Sequence, residues 1–535
     1  MDNKNPQYSL FENYISLLQS KYISLQKNHI KKKFRFNNDE PYFLTASENT
    51  GLSGIFNLKN ISRNTEGDPV DKKKSVLVTT IRLEYGHYRT ALAAVSCANA
   101  MGIMPYWLDI LSVPGITTEL INYKCTGSPL QRKLKQLINA ITDKIPITIP
   151  WKNPFGDALL ILTETGKSNT GSLLKTLKER EICGLFGNLF SAMPHDMPCI
   201  SAHAWCTAGA VSGGMTNVVT LVPENIPLIS SLCEGALHAV SSPSVYYALR
   251  ILKNRSSVNR MLKPLPDDVL TFTGNHIDHE IVFNIENDCK QRLNRSRKDE
   301  PRRFLLTVNR FNSKPALLKS IIDHCIPVIQ QNKAAFFINF GDYFPAWNKL
   351  QKDTAKYGDI IQVHSSWKET KDFADKIRNG KLEGGIHIFL HDNIFHAVYS
   401  TNYLMRVSDF LITDPNELAF YPVPKILTGA AGIKQKLNAI RSAETGDGSL
   451  ECRTTEEILQ AIDITAESND ILELFCSCII GNKSAGLYDG AYKAVSTATG
   501  IKFDRARTES RNSADGKTGK FPKQASAGKQ KKTCK

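Results

Sequence analysis

The residues with the plainest chemical capacity lie late in the chain: Asp414, Asn416 and Glu417, then Gln435 and Asn438. The apolar run Val407-Ser408-Asp409-Phe410-Leu411-Ile412-Thr413 reads as a strand ending in a polar turn. Asn416-Glu417-Leu418-Ala419-Phe420 reads as a helix with a carboxylate in its first turn, and Lys434-Gln435-Lys436-Leu437-Asn438-Ala439 as a second helix start. A helix N-terminus turns free N–H groups and a positive dipole end toward an anion. A carboxylate accepts from a diol, and amides both donate to and accept from sugar hydroxyls. Glu417 for a ribose diol, the turn from Thr413 through Asp414 to Asn416 for a pyrophosphate, and Gln435 with Asn438 for a sugar ring together suit a nucleotide sugar. Singly, each is also an ordinary surface residue, and Asp414-Pro415-Asn416-Glu417 is also an ordinary helix cap. Their order favours the functional reading.

A second candidate stands near the start of the patterned sequence. Ser75-Val76-Leu77-Val78-Thr79-Thr80-Ile81 reads as a buried parallel strand, and Gly86-His87-Tyr88-Arg89 opens an alanine-rich helix before another strand from Met104 to Ile110. In such a βαβ unit the glycine lets a ligand approach the backbone, and the helix start favours an anion. His87 is the candidate general base, although a histidine there also serves as a cap. His203 and His238 fall near later strand ends and are secondary candidates.

These residues need a scaffold of alternating strands and helices. Short apolar runs at 158–162, 198–203, 217–222 and 236–240 continue the rhythm, and a second series begins at Phe304-Leu305-Leu306-Thr307-Val308, with strands at 334–339, 360–363 and 407–412. The alternation argues for doubly wound parallel sheets. The expected organisation is an unpatterned extension over 1–74, a Rossmann-like domain over 75–273, a charged linker over 274–303, a second Rossmann-like domain over 304–500, and a disordered basic tail over 501–535.

The stretch from Val407 to about Ile462 resembles the donor-binding half of GT-B glycosyltransferases, in the branch of the peptidoglycan N-acetylglucosaminyltransferase and the monogalactosyldiacylglycerol synthases. Asp409, Glu417 and Gln435/Asn438-Ala439 match that branch in order, and Gly86-His87 resembles the end of its Gly-Gly-His turn beside the acceptor. Three departures stand out. Tyr85 replaces a glycine, His276 follows Thr273-Gly274-Asn275 where a proline is usual, and Asn309-Arg310-Phe311-Asn312-Ser313 replaces a glycine-rich loop. Arg310 there could supply a guanidinium fork for the pyrophosphate, or the donor site could be lost. The resemblance implies a GT-B-like α/β fold with two Rossmann-like domains facing a cleft. It further implies a hexosyltransferase-type glycosyltransferase with a UDP-sugar donor, a lipid-linked acceptor and no cofactor. The alternatives are a non-hydrolysing sugar-nucleotide 2-epimerase, which needs acidic residues in the cleft, and a catalytically silent binding or scaffold protein.

Composition bounds the rest. A chain of 535 residues exceeds one core. Its scattered cysteines lack C-x-x-C spacing, which suits reduced thiols and a cytoplasmic setting. No apolar run reaches membrane-span length and no secretory signal opens the chain. The net charge of +15 gathers in Lys31-Lys32-Lys33, Lys72-Lys73-Lys74 and the tail from Arg505. Such charge suits an anionic membrane surface at the inner face, and no specific nucleic acid is expected. His387, His391, Asp392 and His396 lie close in sequence but lack a metal-binding spacing, so no metal site is expected.

Overall fold

The computed structural model describes residues 8–33, 43–63, 67–83, 85–113, 169–252, 262–308, 315–429 and 432–504. The expected run at 158–162, the loop with Arg310 and the tail from Arg505 lie outside the described residues. The first domain contains strands β1 (Thr45–Glu48), β2 (Lys59–Ser62), β3 (Ser75–Thr80), β4 (Met104–Asp109), β5 (Cys199–Ser201), β6 (Val218–Val222), β7 (Leu237–Val240) and β8 (Leu270–Phe272). They form one sheet in the order β8-β7-β6-β5-β3-β4-β2-β1, parallel except for the β1/β2 pair. Around it lie α1 (Leu17–Lys33), α2 (Tyr85–Ala100), α3 (Asn169–Cys183), α4 (Ala204–Ser212) and α5 (Pro243–Arg250). The N-terminal stretch expected to be unpatterned therefore supplies a helix, the two edge strands of this sheet and a short antiparallel pair, Ser9–Leu10 with Asn13–Tyr14. Its polar alternation belongs to a sheet edge, where one face meets water.

After β8 the chain crosses through α6 (His279–Arg297) into a second sheet. That sheet contains β9 (Arg302–Thr307), β10 (Ala334–Gly341), β11 (Ile361–His364), β12 (Ile386–Leu390), β13 (Phe410–Thr413), β14 (Lys425–Thr428) and β15 (Gly448–Cys452). Its order is β11-β12-β10-β9-β13-β14-β15, parallel throughout. Helices α7 (Pro315–Gln330), α8 (Phe344–Asp353), α9 (Trp367–Asn379), α10 (Ile394–Val407), α11 (Ile433–Glu444), α12 (Thr455–Glu467) and α13 (Asp470–Ser484) surround it. The central strands are apolar on both faces, as in Phe304-Leu305-Leu306 and Phe336-Phe337-Ile338, because helices cover both sides.

The stretch 274–303, expected as a linker, is mostly α6, and its charge is structural. Buried Arg292 donates to the carbonyls of Ser408 and Met405, each at 2.9 Å, and buried Arg295 binds Asp409 Oδ1 at 2.6 Å. Asp409 also accepts the Arg303 N–H at 2.9 Å. Burial alone would raise the Asp409 carboxyl, but Arg295 and Arg302 overcome it and hold the pKa below the usual carboxylate range. Asp409 immediately precedes β13, at the end of the strand opposite the turn that carries Glu417.

The chain also crosses back. Helix α14 (Gly490–Thr499), expected in the second domain, packs on α2 and the first sheet, and Asn217 donates to the Ala498 carbonyl. The two crossings run side by side. The Asn275 N–H donates to Leu487 O at 2.7 Å, the Gly490 N–H donates to Asn275 O at 2.9 Å, and His276 bridges Asp489.

Candidate functional site

Each sheet has one topological switch point, where open α/β sheets bind ligands at the carboxyl ends of their strands. In the first sheet it falls between β3 and β5, and in the second between β9 and β13. The residues leaving these strand ends meet across one interdomain cleft.

From β3 the chain enters α2, whose first helical turn holds Gly86 and half-buried His87, the latter's carbonyl accepting from Thr80 Oγ1 at 3.1 Å. From β5 comes His203, the N-cap of α4, whose Nδ1 accepts the Trp205 N–H at 3.1 Å. The two rings meet edge to face with centroids 4.6 Å apart. From β6 comes Pro223-Glu224-Asn225, and Glu224 forms an ion pair with Lys434 of α11 in the other domain. The Asn225 N–H donates to Asn438 Oδ1 at 3.1 Å, and the Asn438 amide donates to Pro415 O at 3.1 Å. Asn438 is thus buried in an interdomain latch, while Gln435, one helical turn earlier, is half-buried.

From β13 come Asp414, Asn416 and Glu417. The expected helix is a single 3-10 turn, Glu417–Phe420, capped by Asn416, whose Oδ1 accepts the Leu418 N–H at 3.0 Å. Asp414 Oδ1 accepts from Thr428 at 2.9 Å, beside a small pocket at the second switch point lined by Thr307, Thr413 and Leu317. Glu417 reaches across the cleft. Its Oε1 accepts from Arg89 Nε at 3.3 Å, and a Cβ at position 86 would stand 2.9 Å from Oε2. Only glycine at 86 lets the carboxylate come this close. Arg89 is buried and also donates to Val398 O at 3.3 Å and Thr401 Oγ1 at 3.5 Å.

The surroundings set the charge of His87. Burial pushes its pKa below the ordinary range, Glu224 and Glu417 pull it up, and Lys434 pushes it down. The net depression leaves a neutral imidazole at neutral pH, the form that accepts a proton.

Other candidates have structural duties. His238 is fully buried, donating from Nδ1 to Val269 O at 3.0 Å and accepting the Cys233 N–H on Nε2 at 2.9 Å, and burial pushes it down to about 4. It lies within β7, away from the cleft edge. His387 packs among Phe337, His364 and Phe373, and His396 binds Gly51 O at 2.6 Å. Among the described residues no three potential ligands converge as a metal site. Tyr85, in place of the expected glycine, bonds Asp342 across the cleft beside an Arg82–Asp342 pair at 2.9 Å. Gly341, at φ 56°, makes room for the tyrosine hydroxyl. Glu224, Arg89 and Lys434 escaped sequence reasoning as site residues. The available signal was Pro223-Glu224-Asn225 directly after the apolar run Val218–Val222, the place of a ligand-edge loop.

Two doubly wound parallel domains with their carboxyl edges on one cleft define a GT-B-like architecture. Residues 9–251 match a family described as Domain of unknown function (DUF6937), and residues 265–499 match Domain of unknown function (DUF6938). No curated protein matches the chain. Solved structures similar to it include a Staphylococcus aureus MnaA–UDP co-structure, 10% identical over 85% of this chain and 100% of that one with a TM-score of 0.39. A UDP-GlcNAc 2-epimerase from Neisseria meningitidis bound to UDP-GlcNAc is 10% identical over 62% and 86%, with a TM-score of 0.36. A glycosyltransferase from Rickettsia africae is 14% identical over 80% and 100%, with a TM-score of 0.36.

Proposed function

We propose that this protein binds a nucleoside-diphosphate sugar in the interdomain cleft and transfers the sugar to an acceptor hydroxyl. The observation that carries the reading is the meeting of the two switch-point loops, with Glu417 of one domain against the Gly86-His87 turn of the other. Glu417 takes the ribose diol, and the backbone N–H groups of the turn from Thr413 through Asp414 to Asn416 receive the diphosphate, with Gln435 facing the sugar. Neutral His87 accepts the proton of the acceptor hydroxyl as its oxygen attacks the anomeric carbon. The sugar–phosphate bond breaks, and the diphosphate leaves toward Lys434 and the backbone N–H groups at the turn. The acceptor in this reading is lipid-linked and the protein works at a membrane surface. The lysine clusters and the tail support that part.

Titration calorimetry with UDP and a panel of UDP-sugars tests the donor, and release of UDP with candidate polyprenyl or diacylglycerol acceptors tests the transfer. Absence of UDP binding removes the proposal. Glu224 favours a second reading, 2-epimerisation, because it places a second carboxylate beside His87. Inversion at C2 must break a C–H bond, so donor incubated alone in D2O would gain deuterium at C2. Binding with neither reaction would leave the silent binding protein.

A further inference from the structure

We propose that the outer face of α1 docks this protein on an anionic lipid bilayer. The inference deepens the membrane part of the proposed function and does not depend on the sugar chemistry. The inner face of α1 buries Ser20, Ile23 and Ile30, and Ile23 shares an apolar cluster with Leu173 and Leu177 of α3, so the helix is anchored in one orientation. Its outer face should then be polar, yet Leu18 is 80% exposed, Leu25 68%, Leu17 56% and Tyr22 44%.

Residues 18, 22 and 25 recur at helical spacing on one stripe, and the same stripe continues through His29, Lys32 and Lys33 with Lys21 at its flank. Helix α1 has no carboxylate, and among the described residues Glu181 of α3 pairs with Lys27 on the side of the helix that faces α3. An outward apolar stripe bounded by lysines fits the interface of a bilayer, with the leucines among the acyl chains and the ammonium groups at anionic headgroups. A nucleic acid would satisfy the lysines but leave the leucines in water. A second copy paired about a two-fold axis would bring like charges together.

The test is co-sedimentation of the full chain with phosphatidylcholine vesicles, with and without phosphatidylserine. Leu18→Gln with Leu25→Gln is compared with the parent and with a chain ending before Arg505, and circular dichroism confirms that each folds. The expected result is binding to the phosphatidylserine vesicles, reduced about tenfold in the Leu18→Gln/Leu25→Gln variant and weakened by salt. If the parent binds and only the tail deletion abolishes binding, the inference about α1 falls while the membrane reading stands. If the parent binds no vesicle, both fall. If the leucine substitutions instead dissociate a dimer in solution without changing vesicle binding, the face belongs to a second copy and the inference is overturned.

Discussion

Glu417→Ala separates the structural from the functional role of the cleft carboxylate. Glu417 is 18% exposed and meets Arg89, which is 4% exposed, through one 3.3 Å contact. Removing a partner from a fully buried ion pair costs about 3–5 kcal/mol. Here the contact is long and Arg89 keeps its bonds to Val398 O and Thr401 Oγ1. The expected stability loss is therefore about 1–2 kcal/mol, a fall of a few degrees in Tm. Affinity should change independently. A diol bound to a carboxylate loses about 1.5–3 kcal/mol when the charge is removed, so the Kd for UDP should rise by roughly 10- to 150-fold. Calorimetry on the folded variant reads the affinity, and thermal unfolding reads the stability. Parental UDP affinity in a folded Glu417→Ala protein would refute the diol assignment, leaving Glu417 as an interdomain strut.

His87→Asn should retain UDP affinity and lose turnover by roughly 10²–10⁴-fold; turnover within a few-fold of the parent places the base elsewhere, with His203 next. Glu224→Gln removes a charge that raises the His87 pKa, so the acid limb of the pH–rate profile should move to lower pH, and an unmoved limb would separate Glu224 from the base. His238, whose ring nitrogens are both engaged in the neutral form, titrates near 4 when folded and near 6.5 when unfolded. Between those values only the unfolded chain takes the proton, so this contribution to stability is lost as pH falls from 6.5 to 4 and levels off below. His238→Gln should flatten the slope of unfolding free energy against pH by up to about 1.4 kcal/mol per unit in that window, and equal slopes would contradict the assignment.

Local pattern carried the sequence reading as far as the parallel strands and the glycine-turn helix starts. Ser75–Thr80, Ala334–Gly341 and Phe410–Thr413 were legible because strands covered on both faces read as apolar runs. Glu417 was legible because a carboxylate directly after a strand end is a local arrangement. The strands Ile386–Leu390 and Lys425–Thr428 passed unread, one behind a histidine-rich segment and the other behind a lysine buried against Asp447. The charge of α6 was misread because arginine density looks like solvent exposure until the carbonyls of Met405 and Ser408 are in place. What brought Glu224, Lys434, Arg89 and the His87–His203 pair to one cleft was the facing of two sheets and the return of α14 to the first domain. Those contacts join residues hundreds of positions apart, and periodicity, which reports only on neighbours along one element, carries no trace of them.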